Sequence, residues 1–229
     1  MLKPHVSFVI RTKNEGLWIG HVLKLLKKQT FENFEVLIVD SGSTDETLEI
    51  IKNFDVTLLK IKPDKFNFSF SLNYGISKSR GKIIAIISGH SIPVSDNWLK
   101  SGLGHFKDEN VAAVTGYMSA FPLGYYSRKY GNIFFASYQR KLKHKCKNMT
   151  NTNALIRRDL WEKYSFDESL EECEDYDWAS EMIKRGYDVI KDPKFNIFHS
   201  HLILGRGFDI TKLIRWRRIC NKIDKNKSL

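Results

Sequence analysis

Three clusters of side chains in this sequence have types and spacing suited to chemistry. Asp40 ends the strand-like run Glu35 to Val39 and is followed by Ser41-Gly42-Ser43-Thr44-Asp45-Glu46. A carboxylate at a strand end can accept hydrogen bonds from a nucleobase or a ribose, and it can equally cap the next helix. Glu174 and Asp175 open a segment with helical periodicity. Such a pair suits acid–base work, or it simply faces the positive end of the helix dipole. His90 stands in Ser88-Gly89-His90-Ser91, just past another apolar run, and His199 and His201 come late in the chain. An imidazole at a strand end can ligate a metal ion or serve only the packing.

These groups need a scaffold, and the first half of the chain spells one out. Val6 to Ile10 reads as a buried strand, and the polar loop Arg11 to Gly16 comes after it. Ile19, Val22, Leu23 and Leu26 keep helical spacing between Trp18 and Gln29. After the strand ending at Asp40, Ser43 and Glu46 match a capping box, which predicts a helix to about Asn53. Val56 to Ile61 is a third strand, Phe70 to Ser79 a helix that Gly81 ends, and Lys82 to Ile87 a central fourth strand. Strands alternating with helices predict an α/β fold, a mainly parallel central sheet with helices on both faces. Ligands then sit at the carboxyl ends of the strands, which selects the loops Arg11 to Gly16, Asp40 to Asp45 and Ser88 to Pro93.

The second half is less regular. Ser95 to Phe106 reads as a helix, Val111 to Tyr117 as a strand and Asn153 to Ile156 as a short strand. Asp175 to Arg185 is a helix with Gly186 as its cap, Tyr187 to Ile190 a strand, and Thr211 to Ile223 a basic amphipathic helix. Phe121 to Lys147 is aromatic and basic without a clean period.

The chain has 229 residues, 42% hydrophobic and 28% charged, which suits one globular domain. Its longest apolar run, Ile83 to Ile87, is far too short to cross a bilayer, and the first residues lack a signal-like apolar region. The expected location is therefore cytoplasmic. Cys146, Cys173 and Cys220 form no zinc pattern or redox pair and are read as reduced thiols. The net charge of +11 favours anionic partners, and its density over Arg140 to Lys147 and Arg206 to Lys227 points to a diphosphate or an anionic leaflet. Charge alone suggests nucleic acid, but no recognition motif of that class is present. No Walker loop and no G-x-G-x-x-G comes after the first strand, so a Gly-rich phosphate grip is excluded.

The stretches Val6 to Glu15, Gln29 to Phe31 and Glu35 to Thr47 resemble the opening of family 2 glycosyltransferases of the GT-A fold. Ser71 to Gly75 and Gly81 to Ser88 resemble the helix and strand before that family's D-x-D motif, and Pro93 and Asp96 to Leu99 resemble the segment after it. Asn153 to Arg158 and Glu174 to Trp178 resemble its acceptor-side motifs. The likeness covers about residues 5 to 201. It implies a single GT-A-like (Rossmann-like) domain: a nucleotide-sugar half to about 98, an acceptor half over about 99–205, and a basic C-terminal helix over about 206–229. The implied activity is inverting transfer of a sugar from a nucleotide donor, a UDP-sugar by default, to a polysaccharide or lipid-linked glycan. Asp40 would recognise the base, with Arg11, Thr12, Asn14, Glu15, Ser88 and Gly89 lining the same pocket and Asn73 near the diphosphate. Asp175, paired with Glu174, would be the catalytic base. Arg206 would close over the diphosphate.

One departure stands out. Where the family places aspartates to hold a divalent ion, this chain has Ser88-Gly89-His90-Ser91, with no aspartate until Asp96. A subset of bacterial sequences of the family resembles this S-x-H-x-x-P pattern. Two readings are open. His90 ligates the metal, with His199 ahead of His201 as a second ligand, and Mn²⁺ suits such mixed ligands better than Mg²⁺. Otherwise the metal is dispensable, and His90 with basic residues offsets the charge of the leaving diphosphate. The missing aspartates also admit a catalytically impaired nucleotide-sugar-binding protein of the same fold. The basic helix would let the protein sit peripherally on the inner face of the cell membrane.

Overall fold

The structure is a computed structural model that describes residues 3–119, 144–199 and 210–227. Its first half alternates as the sequence predicts: β1 (Val6–Thr12), α1 (Gly16–Lys27), β2 (Phe34–Asp40), α2 (Thr47–Ile51), β3 (Thr57–Lys60), α3 (Phe68–Lys78) and β4 (Ile83–Ser88). The second half adds β5 (Ile92–Pro93), α4 (Trp98–Leu103), β6 (Val111–Thr115), β7 (Met118–Ser119), β8 (His144–Lys145) and β9 (Asn153–Arg157). After these come α5 (Arg158–Lys163), α6 (Glu174–Lys184), β10 (Asp188–Lys191), β11 (Ile197–Phe198) and α7 (Ile210–Lys227).

Among the described residues, eight strands form one sheet in the order β3-β2-β1-β4-β9-β6-β10-β8. β3, β2, β1 and β4 are mutually parallel; β9 runs against both β4 and β6, and β8 against β10. The sheet is thus mainly parallel and continuous across both halves of the chain. β9 joins them by pairing with both β4 and β6, so the two halves of the chain share one scaffold. β5, β11 and β7 form a second, three-stranded sheet.

Both faces of the main sheet are covered, which explains why β4 is apolar at every position but its last and β1 is apolar without a break over Phe8 to Ile10. Phe8, Ile10, Ala85 and Ile87 pack on one face with Ile19, Val22 and Leu26 of α1 and Trp98 of α4. Val9, Ile84 and Ile86 pack on the other with Leu72 and Ile76 of α3 and Trp178 and Met182 of α6. Each such aliphatic side chain contributes about 1.5–3 kcal/mol relative to exposure. Helix α3 lies close to the sheet because position 75 is glycine; a Cβ there would stand 2.5 Å from Val9 Cγ1.

The capping box expected at Ser43 and Glu46 does not form. Helix α2 starts at Thr47, and Glu46 at its N-cap makes no side-chain cap. The Ser43 hydroxyl is engaged by Asp40 and Asn14 instead. The basic helix extends further than expected and docks along α6. Arg215 forms a bidentate pair with Glu172, while Lys227 reaches Asp177 (3.1 Å) and Glu181 (3.0 Å). Among the described residues no helix is long and apolar enough to cross a membrane.

Candidate active site

The loops after β1 and β2 are tied into one rim. Asp40 is buried, and its Oδ1 accepts the backbone N–H groups of Gly42 (3.0 Å) and Ser43 (3.1 Å), while Oδ2 accepts the Ser43 hydroxyl. It therefore closes its own turn rather than capping α2; a carboxylate's further lone pairs remain for a ligand. Asp45 does the capping: Oδ1 accepts from Thr47 N–H and Oδ2 from Gly16 N–H, which fastens the starts of α1 and α2 together. Desolvation works against ionisation of Asp45, but these hydrogen bonds outweigh it and hold its carboxyl below the usual range. Asn14 takes φ +54°, a left-handed conformation that Asn tolerates, and its Oδ1 accepts Thr44 N–H at 2.8 Å. Thr12 Oγ1 and Glu15 Oε2 are buried here without a hydrogen-bond partner among the described residues. Buried polar atoms of this kind ask for a ligand or a water.

The two histidines, more than a hundred residues apart, do meet. β5 pairs antiparallel with β11, Ile92 opposite Phe198, so the segment after β4 lies against the segment after β11. Pro93 fits there because β5 is an edge strand. The rings of His90 and His199 stack with centroids 4.4 Å apart and planes at 25°. His90 Nδ1 lies 2.8 Å from Glu15 Oε1; His199 Nδ1 lies 3.3 Å from Ser88 Oγ and 3.2 Å from Ser91 Oγ. Gly89 leaves room for Glu15, whose Cγ would be 2.9 Å from a Cβ at that position.

This arrangement does not fit a metal centre as the sequence suggested one. Imidazole lone pairs lie in the ring plane, so two nearly parallel, stacked rings send them side by side rather than toward a common ion. Among the described residues, no three His, Cys, Asp or Glu side chains converge in a set that could hold a metal.

The acidic pair sits at the first turn of α6. Cys173, just before it, has φ +69°, an uncommon conformation for a residue with a Cβ, and the chain turns sharply there. Glu174 is buried, with Oε1 accepting from Asn151 Nδ2 at 3.2 Å and lying 3.8 Å from Arg11 Nη1. Asp175 Oδ2 accepts Asn151 N–H (3.1 Å) and Oδ1 accepts Tyr176 N–H (2.8 Å). Burial, and then the neighbouring charge of Glu174, push the Asp175 carboxyl up to about 7; the two N–H donors and Arg11 work against that rise. Burial likewise lowers the Arg11 guanidinium, against the attraction of Glu174 and Asp175. Arg11 also lies over the Phe68 ring at 4.8 Å. A carboxyl near 7 exchanges protons readily at neutral pH.

The structure gathers Arg11, Glu174 and Asp175 in one cluster and Glu15, Ser88, Gly89, His90 and His199 in another. The rim loops with Thr12, Asn14 and Asp40 run beside them. Asn73 is not brought in. Its Nδ2 donates to Phe166 O and Glu168 Oε1, and its Oδ1 accepts from Trp161 Nε1 and Phe166 N–H, so its amide is committed to the 161–168 segment. Arg206 and His201 lie outside the described residues. Sequence reasoning gave no role to Asn151, Asp45 or Ser91. Asp45 and Ser91 lie in loops that it selected, whereas Asn151 carried no signal.

A mainly parallel α/β domain with a polar rim at the strand ends and a largely enclosed carboxylate pair beside it is a build suited to nucleotide-dependent group transfer. The family model of glycosyl transferase family 2 matches residues 7–165, and the chain belongs to that family. It is 28% identical over 211 residues to the O-antigen chain rhamnosyltransferase WbaN of Salmonella anatum, covering 86% of this chain and 67% of that one. It is 29% identical over 196 residues to the glycosyltransferase AglE of Haloferax volcanii, covering 81% and 64%. Among solved structures it is similar to the mannosyltransferase PcManGT from Pyrobaculum calidifontis, in complex with GDP-Man and Mn²⁺. The TM-score is 0.68 at 20% identity, over 87% of this chain and 57% of that one. It is also similar to S. aureus TarS in complex with UDP-GlcNAc, with TM-score 0.67 at 16% identity over 89% and 59%. The chain thus spans about two-thirds of its curated relatives and less of the solved chains. The GT-A fold expected from the sequence is the fold these likenesses share.

Proposed function

We propose that this chain carries the catalytic site of an inverting glycosyltransferase. It would move a sugar from a nucleotide-activated donor, a UDP-sugar by default, to a hydroxyl of a polysaccharide or lipid-linked glycan. The observation that carries the reading is the Glu174–Asp175 pair, Glu174 buried and Asp175 half-buried, with Arg11 beside it, next to the rim formed by Thr12, Asn14 and Asp40. In this reading Asp40 and its loop bind the nucleoside. The acceptor hydroxyl attacks the anomeric carbon, its proton passes to Asp175, and the bond to the diphosphate breaks as the new C–O bond forms. The N–H groups of Asn151 and Tyr176 hold the Asp175 carboxylate in place, and Arg11 offsets part of the charge of the pair. The intact acidic pair favours an enzyme over a protein that only binds nucleotide sugars.

Contact with an anionic leaflet belongs to the same reading. Arg217, Arg218, Lys222 and Lys225 are exposed on α7 with Ile214, whereas Ile223 is buried and Trp216, on the same side of the helix as Ile223, is partly exposed. Among the described residues of α7 the exposed cations, Arg215 included, outnumber the exposed apolar side chains, which makes the attachment mainly electrostatic. The test of the central reading is release of nucleoside diphosphate from a panel of sugar nucleotides with membrane-lipid or glycan acceptor extracts. Wild type should consume at least one donor and Asp175→Asn at least about 100-fold less; no binding and no turnover with any donor would overturn the assignment.

A further inference from the structure

Asn151 is buried in the loop before β9, and nothing in the local sequence explains an amide there. It makes two hydrogen bonds to two adjacent carboxylates. Its side-chain Nδ2 donates to Glu174 Oε1 (3.2 Å), and its backbone N–H donates to Asp175 Oδ2 (3.1 Å). Its Oδ1 is buried with no hydrogen-bond partner among the described residues. A side chain kept for stability alone would not leave a buried acceptor unmet. The next residue extends the link: Thr152 O accepts the Ser91 hydroxyl, and Ser91 Oγ touches His199 Nδ1. One short loop therefore connects the acidic pair to the histidine pair.

We propose that Asn151 is the positioning residue of the acidic pair. It commits Glu174 as an acceptor and fixes the Asp175 carboxyl, which leaves Asp175 to exchange the proton. This rests on the reading of Asp175 as base. Amide orientation is set by chemistry, since an oxygen facing Glu174 Oε1 would repel it. The other charged or titratable groups facing Asp175 are Glu174 on its own helix, Arg11 on β1, Cys173 before α6 and Cys220 on α7. Among the described residues around Asp175, Asn151 is the one that donates to both carboxylates. Removing it strips a donor from Glu174 and loosens the N–H on Asp175. The second change favours the protonated Asp175 directly; the first leaves the Glu174 charge less compensated, which does the same as long as Glu174 stays ionised.

The test reads the carboxyl directly, without turnover. Protein labelled with ¹³C at the aspartate carboxyl is titrated by NMR, and the Asp175 resonance is identified by its loss in Asp175→Asn. In Asn151→Ala the midpoint should rise by roughly 1 pH unit. In the isosteric Asn151→Asp it should rise further, because a third carboxylate replaces the donor. Melting temperatures of both variants are measured alongside. An unchanged midpoint in folded variants overturns the proposal, and so does failure of both to fold, which would make Asn151 structural only. If Asp175→Asn keeps full transfer activity, the base assignment falls on its own count, whatever the midpoints do.

Discussion

Arg11 Nη1 lies 3.8 Å from Glu174 Oε1, which ties the end of the first strand to the start of the helix that carries the acidic pair. The residue after Arg11 is Thr12, the β1 partner of Asp40. One strand end thus meets both the rim that carries Asp40 and the acidic pair at the start of α6.

Replacing Arg11 with Met should be costly. The pair is largely buried, and without the guanidinium Glu174 and Asp175 share an uncompensated pocket. A loss of about 3 kcal/mol is expected. Urea unfolding should show a lower midpoint at an unchanged slope; a variant as stable as wild type would mean the guanidinium is not neutralising the pair.

Asp175 should make both rate and stability depend on pH, in opposite senses. A base must be deprotonated, so transfer should rise with pH through about 7. A carboxyl raised in the folded state adds stability that is fully present below its unfolded value, about 4, and is lost as pH climbs through 7. Asp175→Asn should lower transfer by at least about 100-fold and flatten that part of the stability profile. Thermal melts from about pH 4 to 8, beside a rate profile, check both.

Mn²⁺ alone should leave the melting temperature unchanged. Stacked imidazoles at 25° are a poor chelate, and the described residues hold no three-ligand set. A rise of several degrees with metal and no nucleotide would show a preformed centre.

Vesicle binding should track charge. Co-sedimentation with vesicles rich in phosphatidylglycerol should be clear at low salt, weaken at about 0.5 M salt and fall in the double variant Arg217→Glu, Arg218→Glu. Binding equally strong to neutral phosphatidylcholine would argue for apolar insertion instead.

The sheet was legible because β1 and β4 are apolar on both faces and end in polar loops, a pattern set by burial alone. Asp40 and the loop between Arg11 and Glu15 fell at the ends of such runs, whereas Asp175 was marked by its acidic neighbour and its place in the Glu174 to Trp178 motif. The features that stayed hidden depend on partners far along the chain. Asn73 sits in a motif, yet its amide is claimed by a segment some ninety residues on. Ser43 and Glu46 have the capping-box spacing, but Asp40 and Asn14 compete successfully for the Ser43 hydroxyl. The meeting of His90 with His199 hangs on a two-residue strand pairing, too short to leave a period. Asn151 lies in no periodic element, so only contacts could single it out.

The reversal of β9 has a consequence for how this domain can diversify. In a purely parallel sheet the rim is built by loops that leave strands. Here Asn153, the first residue of β9, stands opposite Ile87 near the end of β4, so a loop that enters a strand also reaches the rim. That loop is short and fully engaged: Asn151 donates to Glu174 and Asp175, Thr152 O accepts the Ser91 hydroxyl, and Asn153 N–H donates to Thr150 O. Chain inserted between Thr150 and Asn153 would break these bonds, so the domain can vary in length here only at the expense of the acidic pair.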